Sequence, residues 1–151
     1  MRIIVDGDAC PVPVKEMLYK ASARLQVELL LVANRKLSVP SSPLIRCEVV
    51  EHGADVADDH IAEIVQPGEL VITADIPLAD RIIRKGGVVL DPRGDFLDSD
   101  NIGPRLALRD LMDGLRAEGV QTPGSGAYGI KEKAAFANNL DRFLTKALKR
   151  R

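Results

Sequence analysis

Apolar runs and helical stripes take turns along this chain. Ile3, Ile4 and Val5 form a short β-branched run. A parallel strand buried on both faces reads this way, without polar alternation, so a strand is predicted over residues 2–6. Pro13 opens a helix, where its missing N–H would be unpaired in any residue. Val14, Leu18, Ala21 and Leu25 then recur at helical spacing and make its buried stripe. Residues 27–33 (VELLLVA) predict a second strand, followed by Asn34, Arg35 and Lys36. The segment SVPSSP is a loop, and residues 45–50 (IRCEVV) predict a third strand carrying Cys47. Beyond Gly53, the residues Val56, Ile61, Ile64 and Val65 mark a helix over 55–66, stopped by Pro67 and Gly68. Residues 69–74 (ELVITA) predict a fourth strand that ends in Asp75. Pro77 starts a helix through Lys85 with Leu78, Ile82 and Ile83 inward, and residues 88–90 predict a fifth strand.

This alternation argues for an α/β fold around a mostly parallel five-stranded sheet with right-handed crossovers. The second connection lacks a clear helix. Either SVPSSP crosses as a loop or the third strand is antiparallel. DPRGDFLD reads as a turn or small hairpin around Arg93 and Gly94. A helix over 101–118 follows, regular from Pro104, and a last helix runs from Ile130. The glycine-rich stretch 120–129 between them reads as a flexible rim, and Arg150 and Arg151 close a basic tail. One domain over 1–151 is expected, with helices 104–118 and 130–149 packed on it.

Composition narrows the function classes. With 151 residues, 46% apolar and 28% charged, the chain has the make-up of a globular domain with a real core. Aromatics are 3% and Trp is absent, which disfavours recognition by stacking on exposed rings. The formal net charge of −1 means that any nucleic-acid contact needs a local basic patch. Cys10 and Cys47 are too few for a disulfide framework, and no apolar run is long enough to span a bilayer. A cytoplasmic protein without membrane partners is expected.

Candidate chemistry lies in three acidic clusters that follow apolar segments: Asp6/Asp8, Asp58/Asp59 and Asp75/Asp80. Asp6 and Asp75 end predicted strands. Asp58, Asp59 and Asp80 sit in first turns of predicted helices. If strands one and four are neighbours, Asp6 and Asp75 share one sheet edge, where open α/β sheets place ligands. Two like charges about 4 Å apart repel by about 4 kcal/mol at an effective dielectric of 20, so a shared pocket calls for protons or a cation. All-oxygen ligands select Mg²⁺ or Mn²⁺ over zinc, and these ions suit phosphoryl chemistry. The competing reading is capping, because Asp at helix starts accepts backbone N–H groups and favours the positive dipole end. Asp8 in particular is placed to cap the first helix.

The order VD at the first strand end, then DDHIAEIV, then LVITAD followed by IPLAD, resembles PIN-like nucleases. That resemblance implies a three-layer α/β/α sandwich, carboxylate-bound Mg²⁺ or Mn²⁺, and cleavage of RNA or DNA. A helix-borne Asp followed by a strand ending T-x-D matches Asp58 or Asp59, Thr73 and Asp75. The remaining acids fall on Asp6 and Asp80. The segments VDGDACPVPVKE, VAN, ADVAD, PGELVITADIPLA, DPRG, RDLMD, GVQT and AFANNLDRFL are closer still to the YaiI/YqxD family of uncharacterised bacterial proteins, over nearly the whole chain.

Asp6, Asp75 and Asp80 are therefore the expected catalytic residues. Asp6, Asp8, Asp58, Asp59 and Asp75 are the candidate ligands of Mg²⁺ or Mn²⁺. Asn34 and Arg35 follow the second strand, Arg93 lies in the DPRG turn, and Arg105 and Arg109 share a helix face with Arg116. Asn34, Arg35, Arg93, Arg105 and Arg109 are the candidate contacts to a phosphate-bearing substrate such as RNA or single-stranded nucleic acid. The arginine face reads equally as a solvated surface paired with Asp110 and Asp113. Cys10 precedes a helix, where the dipole lowers a thiol pKa, but packing is the default for both cysteines. Two other functions fit the same residues. Asp6-Gly-Asp8 looks like the start of a haloacid-dehalogenase-type phosphatase with Asp6 as nucleophile. A non-catalytic RNA-binding protein would use the basic residues of the last two helices.

Overall fold

The computed structural model describes residues 1–53, 55–119 and 127–149. Its elements in chain order are β1 (Arg2–Asp6), α1 (Val12–Leu25), β2 (Glu28–Ala33), β3 (Ile45–Val49), α2 (Val56–Ile64) and β4 (Leu70–Ile72). They continue with α3 (Ile76–Arg84), β5 (Val88–Leu90), β6 (Phe96–Leu97), α4 (Ile102–Ala117) and α5 (Ile130–Leu148). Most of the glycine-rich stretch read as a rim, and the terminal Arg150 and Arg151, lie outside the described residues.

The strands form one sheet in the order β3-β2-β1-β4-β5-β6. The sheet has six strands, where five were expected. The extra strand is β6, two residues that pair antiparallel with β5 through Val89 with Leu97 and Leu90 with Phe96. Two residues are too few to show a period, so the hairpin around Arg93 and Gly94 was legible while its second arm was not. All other pairings are parallel. The doubt over the third strand resolves in favour of a loop crossing, since β3 runs parallel to β2 with Leu31 beside Cys47.

Alternate residues of each central strand point to opposite faces, and the two faces are covered by different helices. Ile3, Val5, Leu29, Leu31 and Ile72 pack with Val14 and Leu18 of α1 and with Phe136, Leu140 and Leu144 of α5. Ile4, Leu30, Val32 and Val71 pack with Ile61 of α2, Leu78 and Ile82 of α3, and Ile102 at the start of α4. Burying a side chain of this size contributes about 1.5–3 kcal/mol, so the two layers together fix the sheet. Among the described residues no helix is long and apolar enough to cross a membrane.

The DPRG segment has a structural task. Asp91, 8% exposed, accepts the Arg93 N–H at 2.9 Å and the Asp95 N–H at 3.1 Å through Oδ1. These bonds shape the β5–β6 turn. Gly94 has φ +97°, and a Cβ there would stand 2.6 Å from the backbone carbon of Ala135 in α5. Glycine is thus required by conformation and by the close approach of α5. Arg93 reaches across to Glu132 of α5 at 3.3 Å.

Candidate functional site

Because β1, β2, β4 and β5 are parallel, their carboxyl ends lie at one edge of the sheet. The strand order reverses between β1 and β4. At such a point the connections leave to opposite sides, and a crevice opens between them. Val5 is opposite Ile72, which brings Asp6 level with Thr73. By alternation Asp6 points to the face shared with Ile4, the one covered by α2 and α3.

Thr73, 2% exposed, is the hinge of this edge. Its hydroxyl donates to Asp6 Oδ2 at 3.3 Å and accepts the Asp75 N–H at 3.1 Å. One side chain thereby sets both the Asp6 carboxylate and the backbone at Asp75. Strand β4 stops at Ile72, so Asp75 does not end the strand as expected. It is the N-cap of α3, with Oδ1 accepting the Leu78 N–H at 3.0 Å. The capping reading therefore holds for Asp75, whose side chain also lines the crevice.

The helix-borne pair divides cleanly. Asp58 is half-buried, with the carboxylates of Asp75 and Asp6 close by. Burial first, then the charges of Asp75 and Asp6, push Asp58 up to about 7. Asp6 is raised as well, by burial first and by Asp75 and Asp8, with the Thr73 bond acting the other way. Asp59 instead turns outward and pairs with Arg81 of α3 at 2.7 Å.

Two adjoining cavities mark the crevice. The first, about 130 Å³, is lined by Asp6, Asp8, Asn34, Asp55 and Asp58. The second, about 330 Å³, is lined by Asp55, Asp58, Asp59, Asp75, Arg81 and Arg109. Asp55 and Asp58 belong to both and form the wall between them. Asp55 precedes α2 with φ +64°, a left-handed conformation that Asp tolerates better than most residues. The sequence did not single out Asp55 or Arg81. The one signal for Asp55 was a turn-forming Asp just after Gly53, and nothing marked Arg81. A larger groove of about 980 Å³ lies at the amino edge of the sheet, against Met1, Arg2, Glu28 and Glu69. There Arg2 is committed to Glu69 by two contacts of 2.7 and 3.0 Å, and the carboxylate cluster is at the other edge.

The other candidate residues are dispersed. Asp8 does not cap α1: the N-cap is Pro11, without a side-chain bond. The Asp8 carboxylate accepts the Asn34 N–H at 2.6 Å, because Gly7 donates to Val32 O at 2.8 Å and lays the chain across the end of β2. A Cβ on Gly7 would stand 2.9 Å from Leu37 Cδ1 and 3.1 Å from Val32 O, so this passage needs glycine. Asp80 pairs with Arg84 at 3.1 Å along α3 and lines neither cavity. Asn34 lines the smaller cavity and also donates to Glu51 O at 3.1 Å. Arg35 is exposed on the loop after β2.

The arginine face is largely committed to acids of its own. Arg105 lies 3.8 Å from Asp91 and 3.7 Å from Asp95. Arg109 and Arg116 both flank Asp113, at 3.4 and 3.1 Å. Arg109 also borders the larger cavity. Cys10 is 8% exposed, burial pushes its thiol up to about 12, and it donates to Pro11 O at 3.7 Å. It is a packed side chain, not a nucleophile. Cys47 is half-buried in β3.

The donor set of the crevice is carboxylate oxygen throughout, which fits a hard divalent cation in chemistry. Among the described residues no three His, Cys, Asp or Glu side chains already stand at ligating distances around one point.

A family model described as the uncharacterised bacterial YaiI/YqxD family matches residues 4–146. The chain is 55% identical to a UPF0178 protein of Pseudoalteromonas atlantica over 144 residues, covering 95% of this chain and 98% of the relative. It is 52% identical to a UPF0178 protein of Shewanella halifaxensis over 146 residues, 97% of each chain. A UPF0178 protein of Saccharophagus degradans is 50% identical over 149 residues, 99% of each. No solved structure matches the chain.

Proposed function

The chain belongs to the uncharacterised YaiI/YqxD family, and on that premise we propose that it is a Mg²⁺- or Mn²⁺-dependent phosphodiesterase of PIN-like, three-layer α/β/α type, acting on RNA or other single-stranded nucleic acid. The observation that carries the reading is the grouping of Asp58 and Asp75 beside Asp6 at the point where the strand order reverses. Three carboxylates from β1, α2 and the N-cap of α3 line this crevice, although ordinary packing keeps like charges apart. Such a group is costly when ionised and finds its compensation in a bound cation.

Asp6, Asp58 and Asp75 would hold the ion, and Asp8 and Asp55 border it from the smaller cavity. A bound divalent cation supplies an activated water and stabilises charge on a phosphoryl oxygen. Thr73 is a positioning residue, since its hydroxyl fixes both Asp6 and the backbone of Asp75. Asp59 and Asp80, each paired with an arginine, stay outside this group. The phosphatase alternative gains no support from Asp8, whose carboxylate is engaged by the Asn34 N–H where that chemistry needs a free acid.

The test is hydrolysis of single-stranded RNA with Mn²⁺ by wild type, Asp6→Asn and Asp75→Asn. The expected loss in each variant is about 10²–10³-fold, the scale of removing one electrostatic contact to a transition state. Equal activity in all three refutes the assignment. RNA that is bound but never cut by wild type supports the non-catalytic RNA-binding reading.

A further inference from the structure

We infer that the larger cavity is a phosphate subsite, in which Arg81 of α3 and Arg109 of α4 grip the phosphate next to the one held at the carboxylates, so that the site takes a phosphodiester strand in preference to a lone nucleotide. The inference rests on the phosphodiesterase reading and assigns that site its substrate class. Arg81 and Arg109 come from different helices and border the same 330 Å³ space. The wall shared with the carboxylate cavity is Asp55 and Asp58. A strand with one phosphate over the carboxylates therefore passes its neighbouring phosphate into the space that Arg81 and Arg109 share with Asp55, Asp58, Asp59 and Asp75.

Both guanidiniums are available for exchange. Arg81 is 48% exposed and pairs with an Asp59 that is itself 65% exposed. Arg109 is 45% exposed and pairs with Asp113 one turn along its own helix, at 3.4 Å. Exposed pairs of this kind hold their partners weakly. A phosphate offers a planar guanidinium two parallel charge-assisted bonds, which neither present contact provides. Strand binding then releases Asp59 to solvent and leaves Asp113 with Arg116, with no covalent bond made or broken. In contrast, Arg105 faces the 8%-exposed Asp91 in the hairpin and is held by the fold.

The test uses fluorescence anisotropy with a phosphorothioate-linked single-stranded oligonucleotide, which resists cleavage, in the presence of Mn²⁺. Arg81→Gln and Arg109→Gln are each expected to weaken binding about tenfold. Each is expected to lower the slope of log affinity against log salt by about one. Arg24→Gln, which breaks the exposed pair with Asp141 at the far end of α1, is the control and leaves affinity and slope unchanged. Circular dichroism confirms that each variant is folded. Wild-type affinity in both cavity variants, or an equal loss in Arg24→Gln, overturns the subsite. If wild type cleaves RNA while Arg81→Gln and Arg109→Gln bind normally, the subsite alone fails. If the strand binds through both arginines but wild type never cuts unmodified RNA with Mn²⁺, the phosphodiesterase reading fails and the subsite stands.

Discussion

Replacing Asp58 by Asn is expected to stabilise the protein in the absence of divalent cations. Most substitutions at half-buried polar positions do the opposite. Asp58 is raised to about 7, by burial first and then by Asp75 and Asp6. An ordinary Asp titrates near 3.9 in the unfolded chain. The folded state therefore holds the extra proton between about pH 4 and pH 7, and stability falls as pH rises through that window. Below it the carboxyl is protonated in both states and the cost is absent. Above it both states are ionised and the cost is complete. A shift of about three units corresponds to about 4 kcal/mol for a fully desolvated group. Asp58 is only half-buried, and solvent screening reduces this to about 1–2 kcal/mol. For a chain of this length each kcal/mol moves Tm by about 2–4 °C, so the expected effect is about 2–8 °C.

The assay is thermal unfolding by calorimetry from pH 4 to pH 8 in chelator, read as wild type minus variant so that other titrations cancel. The two melt alike near pH 4, and Asp58→Asn melts higher above pH 7. Adding Mn²⁺ at pH 7.5 raises wild type by mass action and leaves the variant nearly unmoved. Asp59→Asn, which alters only the pair with Arg81, keeps the wild-type response to Mn²⁺. A wild type that gains stability relative to Asp58→Asn as pH rises would refute the carboxylate-conflict argument.

Thr73→Val keeps the shape of a 2%-exposed side chain but removes the hydroxyl between Asp6 and the Asp75 N–H. It should cost about 2–3 kcal/mol in urea unfolding, and Thr73→Ser should recover most of it. A Val variant as stable as wild type would show that the hydroxyl does not order this edge. Gly94→Ala meets both a φ of +97° and the Ala135 backbone at 2.6 Å, so it should cost at least about 2 kcal/mol and speed hydrogen exchange in α5. Unchanged exchange in α5 would contradict the close packing. Cys10, buried with its thiol pushed up to about 12, should stay unlabelled by iodoacetamide at pH 8 until the protein is denatured. Mass spectrometry locates the label, and native labelling of Cys10 as fast as of a free thiol would revive it as a nucleophile.

Much of the fold was legible because its signals are local. The apolar runs at Ile3–Val5 and Leu29–Val32 mark strands buried on both faces, and Pro13 and Pro77 mark helix starts. β6 was not legible, since two residues owe their strand state to β5 rather than to any pattern of their own. The site was half legible. The acids near strand ends and helix starts stand out, and T-x-D ties Thr73 to Asp75. Which acids meet depends on side-chain direction across elements, and spacing in the chain does not carry that.

The sequence by itself determined the alternation of strands and helices, the family, and the short roster of acids from which a site could be drawn. It did so because backbone propensity, period and capping act within a few residues. The tertiary structure decided the rest. The parallel pairing of β1 with β4 set Asp6 beside Thr73, and the pitch of α2 turned Asp58 inward and Asp59 out to Arg81. The passage of the chain at Gly7 drew Asp8 to Asn34 instead of to the first helix. These outcomes depend on contacts between residues 17 to 67 positions apart, whose partners are fixed only when the sheet has assembled and the helices have packed on its faces.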